Sequence, residues 1–168
     1  MSPNEKPPST ITRRTFLGAA GSAGAGLILW SWSAPLPAAP FAVRRSEAQW
    51  RKQLGPERYR ILREAGTERA FTSPLDKEKR KGVFRCAGCS QQLFASATKF
   101  DSGTGWPSFY RPLKGAVVTR RDPKSFIAAT EVLCARCGGH LGHVFDDGPR
   151  PTGLRYCMNG LALRFQPA

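Results

Sequence analysis

Acidic side chains are scarce in this chain: 12 Asp and Glu stand against 26 Lys and Arg in 168 residues, a formal charge of +14 at pH 7. The excess is diluted along the sequence, and no basic run exceeds Lys79-Arg80-Lys81. Dispersed charge of this kind describes a solvated basic surface rather than a groove dedicated to nucleic acid or a membrane face. Long apolar runs are missing as well. The stretch from Phe16 to Trp32 sits at the lower limit for a bilayer span and is diluted by glycine and serine. Histidine is rarer still, with two residues, His140 and His143, both in "GGHLGHVFDDG". No internal repeat occurs beyond two Cys-x-x-Cys pairs. What the chain does have is 40% hydrophobic residues, ten of them phenylalanine, enough for one ordinary core.

The N-terminus reads "TRRTFL" at residues 12–17, then the small-residue stretch, then "SAPLPAAP". A twin-arginine pair before a weakly apolar segment resembles a bacterial export signal for proteins that fold before crossing the membrane. The Pro/Ala segment resists helix and suits a cleavage region or linker. A retained membrane anchor is the alternative. On this reading residues 1–40 are signal peptide and linker, residues 46–168 are the folded domain, and the location is periplasmic. The membrane is then met only during export, unless the signal is kept as a tether.

From Ser46 to Ala65 the sequence predicts helix. Ser46 is an N-cap with Gln49 three residues on, and Pro56 after Gly55 opens a second helix. Trp50, Leu54, Tyr59 and Leu62 give the pair an apolar side. From Gly82 onward the character changes. Glycine and proline punctuate short apolar runs ("GVFRC", "QQLFAS", "GAVVTR", "SFIAATEVLC", "GHVF", "LRYCMN", "LALRF"), which predicts a mainly β, antiparallel fold rather than βαβ units.

"CAGC" and "CARC" each set two thiolates on a tight turn, and two such turns complete a closed tetrahedron around zinc through Cys86, Cys89, Cys134 and Cys137. The interval between them is longer than in compact zinc ribbons, so a β layer is expected there. Redox dithiols are a rival, but neither pair opens a helix of a βαβ unit. Structural disulfides are a second rival. A third is a metal held by Cys134, Cys137, His140 and His143 alone, which would orphan Cys86 and Cys89.

The fifth cysteine, Cys157 in "LRYCMN", has no sequence partner. Strand alternation puts Arg155, Cys157 and Asn159 on one side and Tyr156 and Met158 on the other. A lone cysteine is commonly a small buried hydrophobe. A guanidinium and an amide beside it are not core composition, and a nearby cation favours the thiolate nucleophile. Beside such a thiol the two histidines become acid–base candidates. Trp106, in the glycine-rich "KFDSGTGWPSF", can cap a core edge or wall a small apolar pocket.

"KFDSGTGWPSF", "CARCGGHLGHVFDDGP", "PTGLRYCMN" and the two Cys-x-x-Cys pairs together resemble the methionine-R-sulfoxide reductases of the B type, over about residues 46–168. The resemblance implies two antiparallel sheets in a barrel-like or tent-like arrangement with short N-terminal helices, a structural zinc on four cysteines and no organic cofactor. It implies reduction of methionine R-sulfoxide, in proteins or free, as repair of oxidised exported proteins. Carried onto this chain it makes Cys157 the nucleophile and Trp106 the seat of the substrate methyl. His140, His143, Asp147, Arg155 and Asn159 become the polar residues around the sulfoxide. A monomer is expected, with no nucleic-acid partner.

Two positions depart from the family pattern. Many members carry a resolving cysteine where this chain has Thr104. With four thiols committed to zinc, the Cys157 sulfenic acid must be reduced by a small thiol or a thioredoxin-like protein. Ala129 replaces an arginine often found just before "TEV", which alters local substrate contacts.

Overall fold

Why the first helix bends is legible in its own residues. The Ser46 hydroxyl accepts from Gln49 N at 3.2 Å while Gln49 Oε1 accepts from Ser46 N at 2.9 Å, a complete capping box. In this computed structural model, which describes residues 41–122 and 129–168, the helix α1 runs Glu47–Glu64. The expected signal and linker lie outside the described residues. Gly55 interrupts the helix with φ +70°, a conformation open to glycine, and Pro56 starts the second half where its missing N–H costs nothing. The two helices expected from the sequence are thus one element with a kink. Trp50, Leu54, Tyr59, Ile61 and Leu62 are buried along it. Among the described residues no helix is long and apolar enough to cross a membrane.

Nine strands follow among the described residues: β1 (Gly82–Cys86), β2 (Gln92–Ala95), β3 (Lys99–Phe100), β4 (Ser108–Phe109), β5 (Val117–Arg121), β6 (Thr130–Cys134), β7 (His140–Phe145), β8 (Arg155–Met158) and β9 (Leu163–Pro167). They form a three-stranded sheet, β2-β1-β9, and a six-stranded sheet, β3-β4-β8-β7-β6-β5, with every pairing antiparallel. The mainly β, two-sheet fold expected from the sequence is the fold observed. The pairs β3 and β4, two residues each, were not expected; they turn the tryptophan loop into part of the larger sheet.

Phenylalanines join the two sheets. Phe94 of β2 stacks on Phe109 of β4 at 4.3 Å between ring centroids, and Phe84 of β1 meets Phe109 edge-on at 4.9 Å. Phe84 also tilts against Phe165 of β9 at 5.0 Å. Phe84, Phe94 and Phe109 are fully buried. Each such ring removes well over 100 Å² of apolar surface from water, so this cluster dominates the cohesion between sheets. It also fixes the position of β4, and with it the edge of the site.

Candidate active site and metal centre

Register in the six-stranded sheet aligns one transverse row. Ser108 of β4 pairs with Cys157 of β8, Cys157 with His143 of β7, His143 with Glu131 of β6, and Glu131 with Arg120 of β5. Direct cross-strand partners point to the same face, so five polar side chains lie side by side. Phe145 and Arg155, also paired, stand one row further along that face.

Hydroxyls surround the thiol on one flank. Thr104 Oγ1 lies 3.9 Å from Cys157 Sγ, and Ser102 Oγ meets Thr104 Oγ1 at 2.8 Å and Ser108 Oγ at 2.7 Å. Burial pushes the Cys157 thiol above its ordinary range. The Thr104 hydroxyl, the Arg155 charge and Ser108 pull in the other direction without overcoming it. Over the sulfur opens a cleft of about 140 Å³, lined among others by Thr67, Trp106, His143, Phe145 and Asn159. Its size and apolar walls suit a single thioether-like side chain.

A residue that the sequence reading passed over holds this cleft together. Glu68 N donates to Asn159 Oδ1 at 2.9 Å, and Glu68 O accepts from the Trp106 indole at 3.2 Å. Its buried carboxylate accepts from Gly160 N and, at 2.9 Å, from Leu161 N. One residue thereby ties Trp106, Asn159 and the chain leaving β8. Asn159 is consequently not a free amide on the strand face: its Nδ2 donates to Leu141 O at 3.2 Å, and it borders the cleft from beyond the strand end.

His140 and His143 lie on a strand, not on a turn. Three residues apart on a regular strand they would face opposite ways. A bulge between β6 and β7 leaves Leu141 without a partner, since Leu133 pairs with His140 and Val132 with Gly142. The rings consequently meet at 5.4 Å between centroids. His140 Nδ1 pairs with Glu131 Oε1 at 2.7 Å, and His143 Nε2 with Asp122 Oδ2 at 2.9 Å. Burial lowers the His140 pKa although the Glu131 contact opposes it, so this ring is held neutral. Its Nε2 is buried with no hydrogen-bond partner among the described residues. Glu131 stays ionised: burial favours its acid form, but Arg120 and His140 outweigh that. His143, which lines the cleft beside Cys157, is the imidazole in position to exchange a proton there. Glu131 and Asp122 were missed in the sequence. A lone carboxylate among the buried Val132, Leu133 and Cys134 was the available signal for Glu131.

Arg155 and Asp147 form a fork, Nε to Oδ1 and NH2 to Oδ2, both at 2.8 Å. The guanidinium lies 4.4 Å over the Phe145 ring. Hydrogen bonds from Arg155 hold the Asp147 carboxyl below its usual range. Asp147 is exposed and engages Arg155, whose charge acts on Cys157. Ala129 O accepts from Asp122 N at 3.0 Å, beside the aspartate that engages His143.

The four paired cysteines form a separate cluster. Both knuckles close with the same bonds: Ser90 N to Cys86 O and Cys86 N to Gln91 O, then Gly138 N to Cys134 O and Cys134 N to Gly139 O. Sulfurs at about 2.3 Å from one tetrahedral ion sit about 3.8 Å apart. Here Cys86 and Cys137 Sγ are 3.7 Å apart, Cys89 and Cys134 Sγ 3.5 Å, and all four lie within 4.8 Å of one another. The donor set therefore fits a tetrahedral metal ion with no open position. All five cysteines are free thiols, so the disulfide alternative fails. The mixed Cys/His alternative fails too: among the described residues the ligand atoms that lie together are the four sulfurs, with neither imidazole among them. Helix α1 clamps the knuckles, with Gln53 Nε2 donating to Gly88 O at 2.6 Å and Arg63 NH1 to Cys137 O at 3.1 Å.

Residues 54–167 match the SelR domain family. The chain is 56% identical over 127 residues to the peptide methionine sulfoxide reductase MsrB of Leptospira interrogans, spanning 75% of this chain and 97% of that one. It is 58% identical over 126 residues to MsrB of Agrobacterium fabrum, spanning 74% and 93%. This chain belongs to the MsrB family. Its reaction is the reduction of methionine sulfoxide, and it is an oxidoreductase acting on sulfur. Among solved structures, the Mis18 "Yippee-like" domain is similar with a TM-score of 0.42 and 18% identity, over 53% of this chain and 98% of that one.

Within an MsrB framework the two cysteine groups separate cleanly. Cys134 and Glu131 share β6, three residues or about 10 Å apart. Cys157 lies two strands further across the sheet. The four-cysteine cluster and the lone thiol are thus linked through one sheet, by way of Cys134, without sharing a residue.

Proposed function

We propose that this chain reduces methionine R-sulfoxide through Cys157, with the residues of the transverse row and the cleft in the roles their geometry suits. The Cys157 thiolate attacks the sulfoxide sulfur while His143 protonates its oxygen, which leaves as water and gives an S–S-linked sulfonium adduct. Water then attacks Cys157 Sγ and the S–S bond breaks: methionine leaves with the electron pair, a proton is released, and Cys157, oxidised by two electrons, becomes a sulfenic acid. One external thiol then displaces water to give a mixed disulfide, and a second releases Cys157 and carries away the disulfide. Trp106 seats the methyl group, Arg155 steadies the thiolate, with Asp147 orienting it, and His140 and Asn159 hold the surroundings. Attack, methyl seat and proton donor come from three sides, and three unlike contacts accept one configuration at sulfur. R is the configuration the family resemblance implies.

The observation carrying this reading is the pairing of Cys157 with Ser108 on one side and His143 on the other, under Trp106. With Thr104 at the position of a resolving thiol, the reductant is a small thiol or a thioredoxin-like protein. The four-cysteine cluster holds zinc, whose role is folding free energy rather than chemistry. Residues 1–40 direct the protein to the periplasm by the twin-arginine route, where a monomer repairs oxidised exported proteins. The test is turnover of separated R- and S-sulfoxide substrates with dithiothreitol. Turnover confined to the R epimer is expected; equal rates on both would defeat the assignment.

A further inference from the structure

The basic residues of this chain are dispersed in sequence, yet the fold gathers five of its arginines on one depression of about 880 Å³. Arg58 and Arg60 come from α1, Arg69 from the segment after it, Arg80 from the approach to β1 and Arg164 from β9. The depression shares no lining residue with the cleft at Cys157. Two of the three glutamates on its wall already have partners. Glu78 forks with Arg80, and the Glu68 carboxylate accepts from Gly160 N and Leu161 N. Arg60 donates to Thr67 O at 3.1 Å. The guanidiniums of Arg58, Arg69 and Arg164 have no hydrogen bond or ion pair among the described residues, and only Glu57 remains to set against them.

Like charges are held together here. Burial and, after it, the neighbouring Arg164 charge lower the pKa of the half-buried Arg58. Register sets Arg164 directly opposite Arg85 of β1, and like charges so placed destabilise a strand pair. Arg85 NH1 donates to Ser90 O at 2.9 Å, but its Nε is buried without a partner among the described residues. A helix and two strands thus bring three guanidiniums together with no carboxylate bonded to any of them. Arg164 is exposed, so core packing does not require the arrangement. Local rules broken without a compensating contact mark functional positions.

We propose that this depression is a binding site for a small multivalent anion, one that carries two or more phosphate or carboxylate groups, held by Arg58, Arg69 and Arg164. Guanidinium forks match both groups in bidentate geometry. The volume is that of a small-molecule site and is more than one oxyanion on one fork would fill. Cations on α1, on the segment after it and on β9 call for an anion with charge at more than one end. Leu161 and Phe165 line the same depression and keep water from part of it, which strengthens the ion pairs formed there. The site is separate from the Cys157 chemistry and stands or falls independently of that reading.

The test is isothermal titration of the full chain with inorganic pyrophosphate and with citrate, at a constant ionic strength of about 0.15 M so that general screening is fixed. At least one of the two should bind saturably, and acetate should not. Pyrophosphate alone would identify phosphate as the recognised group, citrate alone carboxylate, and both together charge spacing; each supports the site. Arg58→Gln and Arg164→Gln should each weaken that binding about tenfold, as for loss of a hydrogen bond between charged groups. Arg155→Ala, in the catalytic cleft, should bind as wild type. No binding of either anion, equal binding of acetate, or binding unchanged in both glutamine variants would overturn the proposal. So would loss of binding in Arg155→Ala, which would place the anion beside Cys157. The ligand-free protein gives a second reading: Arg58→Gln removes one of two neighbouring like charges, so its melting temperature should equal or exceed that of wild type. A fall would show that the fold itself needs the Arg58 charge, and would also overturn the proposal.

Discussion

The two thiol groups of this molecule use the same atom in opposite surroundings. Cys86, Cys134 and Cys137 are buried, Cys89 is half-buried, and each has another sulfur for a neighbour. Cys157 is half-buried at the bottom of a cleft, with hydroxyls, an imidazole and a guanidinium around it. A closed set of four sulfurs is complete once an ion sits within it, and nothing further can approach. A lone sulfur in an open polar row has no such partner and can be reached by substrate. The lesson is that coordination saturation, not cysteine itself, separates a structural thiol from a reactive one.

The sharpest way to break the comparison is Cys157→Ser. Sulfoxide reduction should fall to background, a loss of at least about 10³-fold by analogy with removal of other nucleophiles. Metal content and melting temperature should stay at wild-type values. Residual activity above a tenth of wild type would show that another thiol serves. The wild-type thiol also gives a pH test. Because burial holds the Cys157 pKa above the ordinary thiol range, alkylation by iodoacetamide should still be rising with pH there, as the thiolate fraction grows. Arg155→Ala removes a charge that lowers that pKa, so the profile should move further toward alkaline pH. A shift toward acid pH would contradict the assignment.

Next in size is Cys86→Ser or Cys134→Ser. Either should release the metal and cost several kcal/mol, a large share of the roughly 5–15 kcal/mol that holds a domain together. Unfolding midpoint and metal analysis on the same sample decide it. Activity should be lost only in step with folding, so protein that remains folded at low temperature should still turn over. A variant with normal stability and no metal would refute the structural role of the cluster.

Glu68→Gln should come third. The amide keeps one acceptor but turns an N–H toward the amides of Gly160 and Leu161, which costs about 1–3 kcal/mol when a buried donor is left unpaired. The backbone bonds of Glu68 to Trp106 and Asn159 remain, but the Gly160–Leu161 segment that follows Asn159 loses its carboxylate anchor, and kcat/KM should fall by up to about tenfold through misplacement. Thermal unfolding and turnover together check this. An unchanged kcat/KM in a destabilised variant would make Glu68 a purely structural residue.

Much of this was legible in the sequence for identifiable reasons. Two Cys-x-x-Cys turns carry their own geometry, and Ser46 with Gln49 and Gly55 with Pro56 announce where a helix starts and bends. The alternation of "LRYCMN" put Arg155 on the side of Cys157, where its charge acts on the thiol. The row through Ser108, Cys157, His143, Glu131 and Arg120 was not legible, because it is made by register between strands distant in sequence. The histidines show the limit most clearly. Their shared direction depends on one unpaired residue, Leu141, and a bulge of that kind leaves no mark in the local pattern. Glu68 was invisible for a different reason: two of its four contacts are made by its backbone, which every residue type has.

Thr104→Cys should change the rate least and the outcome most plainly, because it gives the lone thiol a partner. With dithiothreitol as reductant, turnover should stay within about threefold of wild type, since the hydroxyl it replaces only borders the sulfur and contributes no proton to the proposed step. The oxidised product is what should differ. Thr104 Oγ1 is 3.9 Å from Cys157 Sγ, and the flanking Gly103 and Gly105 both have positive φ, so a thiol there begins close to the nucleophile. A disulfide needs a sulfur separation of about 2.05 Å and Cβ atoms about 3.8 Å apart. The loop must therefore move inward by roughly an ångström or two, against the Phe71 ring packed on Gly105 and the backbone bond between the two residues. Wild-type protein given substrate without reductant should stop after one turnover with Cys157 as a sulfenic acid, trapped by a sulfenate-specific reagent. The variant should stop instead with a disulfide between Cys157 and the introduced thiol, read as loss of water by mass spectrometry, and thioredoxin should recycle it faster than wild type. If sulfenic acid persists in the variant, pairing it with Phe71→Gly, which removes the ring packed on Gly105 and keeps the backbone bond, is the decisive step: a bridge that then forms identifies the Phe71 ring as the restraint, and one that still fails shows that removing the ring is not enough to let this loop deliver a thiol to Cys157.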